Sequence, residues 1–218
     1  MAHLHTGIMG PVSGKVGNLV YFTIGGKCFV RRAPKKTKKA PTLKQKIQRK
    51  KFGTAMLFVS PVSKLVNHSY KLINKKKMGI NVLLRGILND AIIGQYPKFE
   101  IDYSKVDLVR GNLPWSFGSL TQNEIFGDLR LSWQIMADGD YLEDELIIMI
   151  YCCTAKKWLF AEGGAQRAEG SCTLSLEAPI EGDRAQVWMA FRSRDHRAYS
   201  SSQFLGEVIT HNTPSYED

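Results

Sequence analysis

Gly10-Pro-Val-Ser-Gly14-Lys15-Val16 is the stretch whose residue types come nearest to a phosphate-handling loop. Such a loop needs four residues between its glycines, and a Ser or Thr after its lysine to hold magnesium. Here three residues separate the glycines, Val16 stands where the hydroxyl belongs, and no strand-like run precedes. Nucleotide hydrolysis is not expected. His3 and His5 could share one side of an extended segment, but two imidazoles without a neighbouring Cys or carboxylate make a poor metal site. Asp195, His196 and Ser200–Ser202 contain the residue types of a nucleophilic triad without a nucleophile elbow around them, and closeness in sequence is not a geometry. Asp140, Glu143, Asp144 and Glu145 could bind calcium only weakly, since their spacing fits no dedicated loop. A solvated turn is the plainer expectation there. No catalytic set, metal or cofactor emerges.

The charge distribution is the strongest signal. The first acidic residue is Asp90; 19 Lys and Arg precede it and 11 follow, against 20 acids, so residues 1–89 carry +19 and residues 90–218 carry −9. Thirteen cations fall between Lys15 and Lys51, among them Arg31, Arg32, Lys35, Lys36, Lys38, Lys39, Lys44, Lys46, Arg49, Lys50 and Lys51, which form the expected binding set. Cations so placed would neutralise phosphates and release counterions. Tyr21, Phe22 and Phe29 could add base stacking, although alternation in a hairpin is expected to put at least one of them into the core. Nothing in the chain reads bases: there is no zinc knuckle, RNP-like motif or recognition-helix pattern. Charge alone leaves two partners open, a polyanion such as DNA or RNA, or an acidic protein surface, including the −9 half of another copy.

The elements that must carry these residues are partly legible. Residues 16–24 and 28–32, rich in β-branched and aromatic types around Gly25-Gly26-Lys27, predict a β-hairpin. The glycine-punctuated residues before it predict an extended arm or a chain of turns. Residues 31–42, with six cations and two prolines, predict a linker. Thr42 and Gln45 fit a capping box that opens a helix running to about Val59, before Ser60-Pro61. On that helix Gln45, Gln48, Phe52, Ala55, Met56 and Val59 are expected to share the buried face. Further helices are predicted over 61–73 and 81–93. Beyond Pro97 the pattern alternates, with strand-like runs at 99–109, 129–137, 145–154, 157–161, 171–178, 185–193 and 203–210, and Trp133, Trp158 and Trp188 on core faces.

The chain is long enough to bury a core without staples. It shows no signal-peptide pattern, and its longest apolar run, Leu146 to Cys153, is too short to span a bilayer. Cys28, Cys152, Cys153 and Cys172 form no C-x-x-C pair, which points to free thiols in a reducing compartment. A cytoplasmic or virion location without membrane contact is the expectation.

Three strings carry a family resemblance. They are Gly10, Pro11, Ser13, Gly14, Lys15, Val16 and Gly17, with Arg32, Pro34, Thr42, Gln45, Arg49 and Phe52; then Gly94, Tyr96, Pro97, Phe99, Ile101, Asp102, Tyr103 and Ser104; and lastly Ser200, Ser202, Phe204 and Gly206. Together they resemble a family of uncharacterised Bacteroidota proteins that share a domain of unknown function of about this whole length. A shorter form of the first string is similar to segments of phage-associated proteins. The resemblance implies no activity; it raises the expectation of a virion or assembly component.

The expected protein is therefore α+β. Its first part, residues 1–97, holds a basic β-hairpin and helices, and its second, residues 98–218, an antiparallel β-sandwich of Ig or fibronectin-III character. It is expected to be a non-enzymatic binding or structural protein. Its basic half would grip a polyanion or, alternatively, dock on an acidic neighbour in a large assembly.

Overall fold

A computed structural model describes residues 2–4, 13–35, 39–73, 78–122, 128–135, 139–175 and 180–210. The chain divides into two compact units, residues 1–42 and 43–218. The expected division at residue 97 falls inside the second unit, because its helices and its sheets share one core.

The first unit is a four-stranded antiparallel sheet built from β1 (Ala2–Leu4), β2 (Gly14–Val16), β3 (Leu19–Ile24) and β4 (Lys27–Arg32), in the order β1-β4-β3-β2. The predicted hairpin is its centre. Gly25 and Gly26 close it at φ +57° and +77°, the two positive angles that a tight turn matched to strand twist demands. The segment expected as an arm instead contributes β1 and β2, which flank the hairpin.

In the second unit, α1 (Leu43–Val59), α2 (Ser63–Ile73) and α3 (Gly79–Gly86) precede the sheets. A π turn over Ile87–Ala91 follows, and then the hairpin β5 (Ile92–Gln95) and β6 (Lys98–Ile101). The third helix thus ends earlier than its apolar run suggested, and the strand expected over 99–109 shrinks to β6. A 3-10 turn at Tyr103–Lys105 breaks the rest of that run.

The remaining strands are β7 (Gly118–Gln122), β8 (Leu129–Trp133), β9 (Glu145–Cys152), β10 (Lys157–Gln166), β11 (Ser171–Leu174), β12 (Arg184–Arg192) and β13 (Gln203–Ile209). They form two antiparallel sheets, β10-β9-β12-β13 and β11-β8-β7. Side-chain alternation on β9 and β12 builds two cores from one sheet. Leu146, Ile148, Ile150, Cys152, Val187, Met189 and Phe191 pack against Leu129, Leu131 and Trp133 of the smaller sheet. Ile147, Met149, Tyr151, Trp188 and Ala190 pack against Phe58, Val59, Val66, Leu83 and Ile87 of the helical layer. That double burial explains why β9 reads as a continuous apolar run. Each large side chain so buried contributes about 1.5–3 kcal/mol. The α+β class and two facing sheets are observed, but helices cover the outer face of the larger sheet, where an Ig-type sandwich would meet solvent.

Helix α1 shows how local pattern and packing diverge. Ala55 and Val59 are buried as expected, but Phe52 is exposed and Phe58 takes its place, 1% accessible. Phe58 meets Tyr151 edge-on at 4.9 Å and accepts, at its carbonyl, the Trp158 indole N–H at 2.9 Å. Trp133 and Trp188 are buried; Trp158 is half-buried against the helical core. Close approach fixes one glycine: a Cβ on Gly111 would lie 1.7 Å from the Tyr199 carbonyl oxygen, where the loop bridges to Ser200.

Candidate nucleic-acid interface

Register assigns the residues of the first sheet to faces. Lys15 pairs with Val20 and Val20 with Arg31; Phe22 pairs with Phe29; Ile24 pairs with Lys27. Directly paired residues share a face, so one face carries Lys15, Val20, Phe22, Ile24, Lys27, Phe29 and Arg31. The Phe22 and Phe29 rings stack at 5.7 Å and 20°, and the Arg31 guanidinium sits 5.6 Å over Phe22. The three cations are exposed and the two rings half-buried. Tyr21 pairs with Val30 on the opposite face, as alternation required, and Arg32, paired with Leu19, lies there too.

The remaining cations of the expected set divide as follows. Lys36 and Lys38 lie outside the described residues, while Lys35 and Lys39 are exposed. Lys44, Lys46, Arg49, Lys50 and Lys51 stand on the first three turns of α1, where no residue from Leu43 to Thr54 is buried. That half of the helix has no acidic residue in its first turn, leaving cations beside the positive end of the helix dipole.

Arg49 and Lys50 also line a cleft of about 810 Å³ in the second unit, with Phe99, Lys98, Lys156 and Arg184 among the other walls. Its floor includes Phe58, Tyr103 and Tyr151. Burial pushes the Tyr151 phenol up to about 12 and raises that of Tyr103 as well, so the floor stays uncharged at neutral pH. Lys156 sits at its edge with φ +53°, an uncommon conformation for a residue with a side chain. Asp183 anchors that turn by accepting the amides of Thr154 and Ala155 at 2.8 and 3.0 Å. Lys51 lies 5.3 Å over the Phe99 ring. Lys98 and Lys156 were missed in the sequence because they come from the acidic half and are brought here only by the β5–β6 and β9–β10 turns.

Ion pairing separates the two halves. The first unit contains no Asp or Glu. In the second, every ion pair among the described residues lies between Asp102 and Glu207. The acidic cluster is not a solvated turn. Asp144 is 3% accessible and pairs with the fully buried Arg167 at 3.1 Å. Glu145 pairs with Arg192 and Glu143 with Arg194. The triad types are structural as well: Ser200 Oγ accepts the Phe191 amide and donates to the Ser201 carbonyl, and His196 faces Glu145 at 3.7 Å. Among the described residues no three His, Cys, Asp or Glu converge as a metal site, and His3 and His5 fall outside the described side chains. Gly14–Val16, the end of the phosphate-loop-like stretch, is strand β2 and opens no helix. The four cysteines are free, with Cys152 and Cys153 in different cores. No described helix is long and apolar enough to cross a membrane.

The family of unknown function DUF6266 matches residues 11–206. The chain belongs to this family. The matched span takes in β2 to β4, all of α1 and all of both cores except Val208, so the cationic sheet face lies inside the family domain except for β1. No curated protein matches the chain.

Proposed function

We propose that this DUF6266 protein is a non-enzymatic binder of a polyanion, a nucleic acid, contacted through its backbone without base specificity. The observation that carries the reading is the segregation of ion pairs. Glu143, Asp144, Glu145 and Glu162 are engaged by arginines of the same segment, while no described Lys or Arg before Asp90 has an ion-pair partner. Unpaired cations on an exposed surface are available for counterion exchange with phosphates. The competing partner, the acidic half of a second copy, is the weaker choice. Eight of its acids, including Glu143, Asp144 and Glu145, already hold local cations, and docking there would have to break those pairs.

The test is the ratio of 260 to 280 nm absorbance of the protein purified from a low-salt lysate. A raised ratio that falls after a high-salt wash is the expected outcome. A protein-like ratio at low salt, together with salt-sensitive self-association, would support the assembly reading instead.

A further inference from the structure

We propose that a groove between α1 and α3 receives one unpaired base of the bound strand, stacked on Phe52. The inference rests on the polyanion reading above and adds to its backbone grip a contact that depends on a base being present.

Helical spacing builds the groove. Gln48, Lys51 and Phe52 follow one another at i, i+3 and i+4 on α1, so they share one face. Asn81, Leu84, Arg85 and Leu88 repeat that spacing from α3 into the π turn, which adds Asn89. Together they line a groove of about 380 Å³, within the range of about 300–1,000 Å³ that small ligands occupy. Leu84 is its buried wall. Among the described residues no carboxylate lines it.

Phe52 supplies the stacking face. Its place in the apolar pattern of α1 predicts a core residue, yet it is 47% accessible. Among the described residues its ring meets no other ring and no cation. Unpaired bases are held by stacking on such rings together with hydrogen bonds at their edges. The side-chain amides of Gln48, Asn81 and Asn89 can make those bonds, since each carries two donors and an acceptor. None of the three has a hydrogen-bond partner among the described residues. Amides held by no neighbour turn to suit whichever edge arrives, so the groove offers hydrogen bonds without choosing a base.

Cations for the adjoining phosphates stand on the same two helices. Lys44, Gln48 and Phe52 follow at i, i+4 and i+8, each about 6 Å further along the axis, so a cation, an amide and a ring form one row. Arg85, exposed and without an ion-pair partner, stands on the opposite wall. Lys51 is already committed to the Phe99 ring. A duplex keeps its base faces inside the stack, so only an unpaired base can enter.

The experiment compares a labelled oligothymidylate with an abasic strand of equal length, which has the same phosphates and no bases, by fluorescence anisotropy at one moderate salt concentration. The full-length protein is expected to bind the oligothymidylate at least about fivefold more tightly, the low end of what stacking one base contributes. Phe52→Leu keeps apolar bulk at an exposed position and should bring the two probes to equal affinity without changing that for the abasic strand. Phe52→Trp keeps a ring and should retain the difference. Lys44→Gln removes a phosphate contact and should weaken both probes alike. Thymidine monophosphate, the same nucleotide without a chain, should fail to displace the strand at equal concentration. Circular dichroism and melting establish that the variants are folded.

Equal affinity of the parent protein for the two probes, an unchanged preference in the folded Phe52→Leu variant, or displacement by the monophosphate at equal concentration overturns the inference and leaves polyanion binding standing. Absence of binding to either probe overturns both.

Discussion

Replacing Arg167 with alanine is expected to cost about 3–5 kcal/mol of folding stability, because it strands a buried carboxylate. Arg167 is completely inaccessible. Its guanidinium holds Asp144 at 3.1 Å, donates to Ser116 Oγ at 2.7 Å and to the Pro114 carbonyl at 2.8 Å, and lies 4.0 Å over the Phe191 ring. Against a typical stability of about 5–15 kcal/mol the loss would leave the protein marginal. Burial raises the pKa of Asp144, and the Arg167 charge opposes that rise. Without the arginine the rise grows. The folded variant then binds a proton more tightly than its unfolded chain, so its penalty should shrink as the pH falls below neutral. Denaturant titration at neutral and mildly acidic pH measures both. A cost under about 1 kcal/mol, the scale of an exposed pair, would contradict this role.

Neutralising the basic surfaces should do the reverse, leaving the fold intact and weakening binding. Lys15→Gln/Lys27→Gln/Arg31→Gln removes three exposed cations that have no carboxylate partner. Deleting one cation that touches a phosphate lowers the salt slope of nucleic-acid affinity by about 1, so this variant should show a slope shallower by about 3. Stability should move by less than about 0.5 kcal/mol per site. Lys44→Gln/Lys46→Gln tests the helix. These cations oppose the dipole at its first turn, so their removal is expected to raise the melting temperature slightly while reducing affinity. A coupled loss of stability and binding would show that the cations serve packing rather than a ligand.

The central hairpin was legible because Gly25-Gly26 punctuates two β-branched and aromatic runs. The start of α1 was legible because Thr42 opens it and Ser60-Pro61 stands at its end. The flanking strands β1 and β2 were not, since three-residue strands have too few side chains to show a period. Packing decided the rest. The rotation of α1 that buries Phe58 and exposes Phe52 follows from aromatic partners on β9, β10 and β12, up to 130 residues away in sequence. The pairing of Asp144 with Arg167 was equally hidden, because their 23-residue separation carries no local signature. At the site, the cations were visible as a count, and Tyr21 could be separated from Phe22 by alternation. Which of the two shared a face with Phe29, Lys15 and Lys27 depended on register, which composition does not encode.

The salt dependence of oligonucleotide affinity tests the central claim most directly. Measured with a single-stranded probe over a range of salt concentrations, log affinity should fall linearly with log salt. If about six cations engage, the slope should be about −4, from about −0.7 per contact on a single strand. A flat dependence, or no binding even at low salt, would contradict the account.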